Sequence, residues 1–566
     1  MASPHHPVFA LSDRFVDRYA ALHPVDATLV GVPGHDHEWG DLGPGGIEAT
    51  QDLLRATRQE LAALPAPDDR WSALAVRVLT EDVDESLEAI EQGDPYRDLA
   101  HVGSTPCAMR SALLTQDAST PAGRDAVASR LERMPSALAG WRDTVDLGRR
   151  RGVLASRRQA VSVADQLRSA VGPKGAFTRR VAELAALDPG SQERLDAALD
   201  GARRACLDTA AWIEQVYLPD APGEDAVGSE RYARMARRYL GTGIDPDDAT
   251  SWAWDQTAKL WERAEAAAGR IDPDAPLADV VRRLKVDPAF AAPDRDTFLA
   301  LMQERQAEAV EILADRHFAI PEGIREVEIR LASPGAPLGA WYIGPSEDLS
   351  RPGTIWWSFG DRQVVPLYEE VSTAYHEGFP GHHLQVGTQV TLADRLSRAH
   401  RTLIWRPGYG EGWALYAEQL MDELGYLERP EYELGYLTGS LLRAVRVVLD
   451  LGLHLGLRAP EHAPIHPGAV WTYELAVDAL EQLCFLDRDY AESEVTRYLG
   501  LPGQAISYAI GQRELLQLRE ERRFREQEAF DLRAFHADVL GSGPVGLDHL
   551  RELVLDPPVG QQRPIS

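Results

Sequence analysis

Cysteine is scarce: there are three in 566 residues, Cys107, Cys206 and Cys484. Their number is odd, their spacing is wide, and no C-x-x-C pair occurs. A disulfide framework and a zinc-thiolate site are therefore not expected, and a reducing compartment is. Basic charge is also short. Lys and Arg total 59 against 88 Asp and Glu, a formal net charge of −29. A nucleic-acid surface needs a basic face and an anionic membrane surface a polybasic one, so neither partner is expected. Net charge leaves room for a locally basic pocket. No apolar run approaches the roughly 20 residues of a membrane-spanning helix. The opening MASPHHPVFALSDRF has no basic start and no long apolar core. No signal peptide is expected, and the cytoplasm is the expected location.

The chain is long enough for a large core, and 44% hydrophobic with 26% charged residues is ordinary for a globular protein. Apolar residues recur at helical spacing over 50–64, 72–92, 122–149, 154–170, 191–216 and 252–270. Pro- and Gly-bearing turns such as Asp188-Pro189-Gly190 separate them. Near residue 320 the period changes. IREVEIRL (324–331) alternates apolar and charged residues, and Trp341-Tyr342-Ile343 and TIWWSF (354–359) are aromatic and branched, so a small sheet is expected here. Helices resume near Pro366. The fold class is mainly α, with a helical N-terminal lobe over 1–320 and a second lobe over 321–566 that carries the sheet.

The chemistry concentrates in Y-H-E-G-F-P-G-H-H-L-Q (375–385). In H-E-x-x-H zinc hydrolases two histidines sit one helical turn apart and the glutamate handles a water proton. Here Pro380 stands where the second histidine would be. On an unbroken helix at about 100° per residue, His383 lies about 20° from His376 and His382 about 120° away, but His383 is then roughly 10 Å along the axis. Two imidazoles on one ion cannot span that gap. Pro380 removes a helical N–H and Gly381 permits a bulge. The helix is expected to break there and return one histidine, His382 ahead of His383. A third ligand is expected from a following helix, with one metal position left open. Glu411 in G-E-G-W-A-L-Y-A-E, 29 residues after His382, is the candidate. Glu418, two turns along the same face, is a supporting or alternative partner.

These motifs resemble the bacterial family called domain of unknown function 885, which groups with the zincin metallopeptidases, gluzincin-like in ligand type. R-A-V-R-V-V-L-D-L-G-L-H (443–454), E-V-T-R-Y (494–498) and P-G-Q-A-I-S-Y-A-I-G (502–511) are similar to further stretches of that family. Helical zincins such as thimet oligopeptidase and carboxypeptidase Taq carry H-E-x-G-H. Aligning their G-H with Gly381-His382 implies a two-residue insertion after Glu377 and favours His382 as ligand. The resemblance implies two helical lobes around a channel and a short antiparallel sheet beside the active-site helix. Thr354–Phe359, with Trp356, would be the edge strand holding a peptide.

The expected centre therefore has His376, His382 and Glu411 as ligands to one zinc, with manganese or cobalt also compatible. Glu377 is the expected general base. Tyr508 and His454 are the candidate oxyanion donors. Arg446, Asp450 and His454 form one polar stripe on a helix. Arg446 and Arg497 are candidates for holding a substrate carboxylate. The expected activity is hydrolysis of a short peptide or small amide. A dedicated metabolite amidase and an inert metal-binding scaffold are the alternatives. Oligomeric state is not readable from the sequence.

Overall fold

The helical periodicities of the first 270 residues become helices with chemically defined ends. In the computed structural model, which describes residues 6–332, 338–360, 362 and 365–555, 68% of the chain is helix. The stretches at 50–64, 72–92, 122–149, 154–170 and 252–270 are helices Pro44–Ala62, Arg70–Glu91, Pro121–Arg150, Arg157–Ala170 and Pro246–Ile271. The stretch at 191–216 is helix Gln192–Trp212, continued by a π turn at Ile213–Tyr217. The side chains of Asp69, Thr120 and Asp245 accept first-turn N–H groups. Pro121 and Pro246 follow such caps, where a missing N–H leaves no bond unmade. Asp245-Pro246 is thus a helix start as well as a turn, which is why that helix begins before its apolar pattern.

The chain divides into two compact units. The first holds the chain up to Asp225 together with Ala393–Ile404. Its core gathers Leu131, Leu138 and Trp141 from Pro121–Arg150 with Ala202 and Cys206 from Gln192–Trp212. The second holds Ala226–Leu331, Leu338–Leu392 and the chain from Trp405 onward. The expected division near residue 320 lies inside this second unit.

The second unit contains every element used below. These are helices α1 (Gly228–Leu240), α2 (Pro246–Ile271) and α3 (Arg295–Leu313), strands β1 (Val327–Leu331), β2 (Gly339–Ile343) and β3 (Gly353–Ser358), and helices α4 (Glu370–Glu377), α5 (His382–Thr391), α6 (Pro407–Glu423), α7 (Pro430–Leu455), α8 (Arg488–Gly500) and α9 (Ser507–Glu526). Helix α7 is buried nearly all round, as a central helix must be. Small residues on α2, Ala249, Ala253, Ala264, Ala267 and Ala268, are buried.

The sheet differs from the expected one in two respects. It is mixed: β2 pairs antiparallel with β3, whereas β1 pairs parallel with it. The strand order is β1-β3-β2, so TIWWSF is the centre and not the edge. The turn from β2 to β3 makes the antiparallel pair, and β1 takes the other flank, leaving both backbone faces of β3 occupied. Trp356 lies in register between Arg330 and Trp341, with the Arg330 guanidinium 6.0 Å from its ring. It belongs to a half-buried cross-strand cluster, so its assignment as a peptide-holding edge residue is withdrawn. Among the described residues β2 has a strand partner on one side alone.

Candidate metal centre

The motif helix breaks where Pro380 and Gly381 require it. Helix α4 ends at Glu377, the chain passes a cis Phe379-Pro380 bond, and α5 begins at His382. Buried Gln306 of α3 stitches the break: its Nε2 donates to the Ala374 carbonyl (2.9 Å) and its Oε1 accepts from Phe379 N–H (2.7 Å). Trp413 Nε1 donates to the Pro380 carbonyl at 2.9 Å. Both glycines are required by space. A Cβ at Gly381 would lie 2.0 Å from the His376 carbonyl oxygen, and one at Gly378 2.0 Å from Gln306 Oε1.

This turn brings His376 and His382 together, ring centroids 4.8 Å apart and nearly perpendicular at 88°. Glu411 of α6 completes the group. Its Oε2 is 3.4 Å from His376 Nε2 and 3.4 Å from His382 Nε2. One ligand atom from each of the three residues falls within 4.8 Å of the others. Glu411 Oε2 is buried and makes no hydrogen bond with any described residue. Two imidazole nitrogens and a carboxylate oxygen are a donor set suited to zinc, and an unpartnered buried carboxylate oxygen facing them needs a positive partner. The residues fit the ion.

The ring of His376 is held from behind. Its Nδ1 donates to Glu418 Oε1 at 2.8 Å, and the other Glu418 oxygen accepts from the Ser372 hydroxyl. A carboxylate on the far nitrogen holds a proton there, so that a cation replacing the second ring proton would meet the Nε2 lone pair. Burial alone would lower the His376 pKa, but the Glu411 and Glu418 carboxylates outweigh it and raise it to about 10. Burial likewise opposes ionisation of Glu411, and His376 and His382 more than reverse that, holding it well below the carboxylate range. Both directions say that the centre favours a positive charge among these groups. Glu377, the residue after His376, is buried, and burial raises its pKa above the usual carboxylate value.

Tyr508 reaches this neighbourhood through a close helix crossing. Helices α6 and α9 meet at glycines: a Cβ at Gly412 would lie 2.5 Å from the Gly511 carbonyl carbon, and one at Gly511 2.1 Å from the Gly408 carbonyl oxygen. Glu411 adjoins Gly412, and Tyr508 lies one turn before Gly511 on the same face of α9. Burial first, and then the Glu411 charge, raises the Tyr508 pKa, so its phenol stays a hydrogen-bond donor at neutral pH.

Two expected roles are replaced. His383 is neither a ligand nor an alternative one. Its Nε2 lies 2.8 Å from the Ile324 carbonyl and its Nδ1 2.8 Å from the Tyr342 hydroxyl. Both nitrogens are thus engaged, and burial lowers its pKa to about 4, so it is neutral. Gly353 leaves room for this pair, since a Cβ there would lie 2.3 Å from Tyr342 Oη. His454 is not an oxyanion donor. It is buried at the end of α7, with Nδ1 accepting from Val227 N–H (3.4 Å) and Nε2 3.1 Å from the Tyr498 carbonyl. The polar stripe of α7 therefore splits, with His454 tying neighbouring segments together.

Asp450 on that stripe is fully buried, and its Oδ2 accepts from the Tyr232 hydroxyl (2.6 Å) and Gly503 N–H (2.9 Å). Burial pushes its carboxyl up to about 7, against Tyr232, Gly503 and Arg497, which favour the anion. The folded protein therefore keeps a proton that the unfolded chain releases near pH 3.9. Stability falls as pH rises from about 4 to about 7. Asp450→Asn is expected to remove up to about 2.7 kcal/mol of that fall between about pH 5 and about pH 8, read from urea unfolding at those two values. An unchanged difference between the two pH values would contradict this role.

Arg446 and Arg497 meet at one carboxylate. Arg446 donates to Glu494 Oε2 through Nε (3.1 Å) and Nη2 (2.6 Å), and Arg497 donates to both Glu494 oxygens (3.1 and 3.0 Å). Residue patterns gave no sign of Gln306, which acts from a helix far earlier in the chain. Trp413 was visible inside the E-G-W motif, although its bond to Pro380 was not. Trp405 was also missed: its ring centroid is 5.9 Å from that of His382, and it is 43% exposed, a solvent-facing wall of the centre.

A family model described as bacterial protein of unknown function (DUF885) matches residues 24–554. No curated protein matches the chain. Two solved structures resemble it over nearly their whole length. The crystal structure of a candidate lipoprotein from Colwellia psychrerythraea has a TM-score of 0.82 and 22% identity, covering 97% of this chain and 98% of its own. A candidate lipoprotein of unknown function from Shewanella oneidensis has a TM-score of 0.67 and 18% identity, covering 97% and 100%. At these identities the likeness is one of fold. No helix among the described residues is long and apolar enough to cross a membrane.

Proposed function

The chain belongs to the DUF885 family of bacterial proteins, and we propose that it is a metal-dependent hydrolase of the peptidase type, cleaving short peptides or small amides. The observation that carries this reading is the convergence of His376 Nε2, His382 Nε2 and the unpartnered Glu411 oxygen beside the buried carboxyl of Glu377. The same reading places the fold among the mainly helical zincins, on the motif order H-E, G-H and a later glutamate helix.

His376, His382 and Glu411 would hold one zinc ion; manganese and cobalt suit the donors less well. When bound, zinc supplies a Lewis acid for a carbonyl oxygen and a low pKa for water. Glu377 follows His376 directly, and its raised pKa suits a group that takes a proton from water and returns it to the leaving amine. Tyr508 supplies a phenolic donor for the developing oxyanion. Glu418 and Ser372 keep the His376 ring in its working tautomer. Arg446 and Arg497 would bind substrate. Three free, buried cysteines accord with a reducing, cytoplasmic location.

Metal analysis tests the reading. Purified protein is expected to hold one zinc per chain and to lose hydrolysis of a peptide mixture on chelation. Glu418→Gln should weaken zinc binding about 10–100-fold, and Glu411→Gln by more than that. A protein that takes up no stoichiometric zinc, or that binds it equally well as Glu411→Gln, would reject the centre.

A further inference from the structure

The arginines around Glu494 outnumber the carboxylates that hold them. Arg446, 6% exposed, and Arg497 both bond to Glu494. Arg443 lies one turn before Arg446 on α7 and donates through Nη1 to the Gly439 carbonyl, while its buried Nε has no partner among the described residues. Tyr498 Oη donates to Glu494 Oε2 (2.9 Å) and adds no charge. The next acid, Asp450, has one oxygen taken by Tyr232 and Gly503. A guanidinium in a low-dielectric setting demands an anion. Here Arg446 and Arg497 share one, so the pair carries a net positive charge. Arg446 Nη1 makes no hydrogen bond with any described residue.

This surplus is not sealed off. Tyr490, one turn before Glu494 on α8, is 52% exposed, so the cluster borders solvent. On its other side it meets the metal centre. The Arg446 guanidinium sits 5.1 Å over the Tyr508 ring, and Tyr508 is brought to Glu411 by the glycine crossing of α6 and α9.

We infer that Arg446, backed by Arg497, forms a subsite for a free carboxylate on the substrate, next to the amide bond that the centre cleaves. The substrate class is a peptide cut close to its C-terminus or an N-acyl amino acid. A planar guanidinium with an open N–H suits a carboxylate. The inference rests on the peptidase reading for its chemistry and on the Arg446 cluster alone for its specificity.

The test compares matched pairs that differ only at the carboxylate: pentapeptides and N-acetyl amino acids, each as free acid and as C-terminal amide. Zinc-loaded wild type is expected to hydrolyse the acids about 10–100-fold better in kcat/KM. Binding of each pair to zinc-loaded Glu377→Gln is followed by calorimetry, which needs no turnover, and the acids should bind tighter by a similar factor. The pentapeptide and N-acetyl arms separate the two substrate sources. In Arg446→Gln, which leaves Glu494 paired with Arg497, the acid-to-amide ratio should fall toward one. If that variant does not fold, the wild-type ratios decide. Hydrolysis of both forms at equal rates would overturn the subsite and leave the peptidase reading standing. Tighter binding of acids without turnover would overturn the peptidase reading and support the subsite. Equal or absent binding of both forms would overturn the subsite.

Discussion

Glu377→Gln is expected to lower amide hydrolysis by about 10²–10⁴-fold while zinc affinity changes no more than a few-fold. Glutamine keeps the shape of the side chain and removes its ability to take a proton. The side chain is absent from the converging triad, so the ion should remain. Its setting explains the size of the effect. Burial raises its pKa and the neighbouring charges of His376 and His382 lower it, leaving a carboxyl with more proton affinity than one in water. Matched proton affinity is what a group needs to accept a proton and release it again. Zinc titration alongside initial rates separates the outcomes. Unchanged rates would remove Glu377 from the chemistry. Loss of zinc together with activity would make Glu377 part of the metal's support.

Gly412→Ala is the second large effect, on both stability and site geometry. The added Cβ would lie 2.5 Å from the Gly511 carbonyl carbon and 2.7 Å from its Cα. Both are backbone atoms and cannot swing aside, so α6 and α9 must separate. Overpacking of this kind costs about 1–3 kcal/mol or more. Separation also carries Glu411, the next residue, away from Tyr508. Chemical denaturation should show the loss, and zinc affinity should fall with it. Gly269→Ala is the control. It lies in the exposed tail of α2 with nothing within 4 Å of its would-be Cβ. There alanine should raise stability by about 1 kcal/mol through helix propensity alone. Equal effects at the two positions would mean that the crossing at Gly412 is not tight.

Much of the helical architecture was legible because its signals are local. Amphipathic repeats marked the helices, whereas the caps Asp69, Thr120 and Asp245 that set their starts came out of the structure. The sheet was legible as strands but not as a sheet. Strand pairing joins segments far apart in sequence, and nothing in TIWWSF says whether one neighbour or two will flank it. His454 misled for a related reason. Its spacing from Arg446 and Asp450 correctly placed the three on one stripe, yet a stripe can meet different partners along its length. Arg446 meets Glu494, and His454 meets Val227 and Tyr498.

Residue types and spacing by themselves determined that three histidines and a glutamate of one segment, and a glutamate of the next, were available as donors. They also determined that the motif helix would break at Pro380-Gly381, because a missing N–H and a missing Cβ act on the chain locally. Which histidine faces Glu411 was decided only by tertiary structure. Gln306 and Trp413 hold the broken turn in one shape, and Ile324 and Tyr342 occupy both nitrogens of His383. These four residues are remote from the motif in sequence, and a ring of two nitrogens follows the partners that reach it.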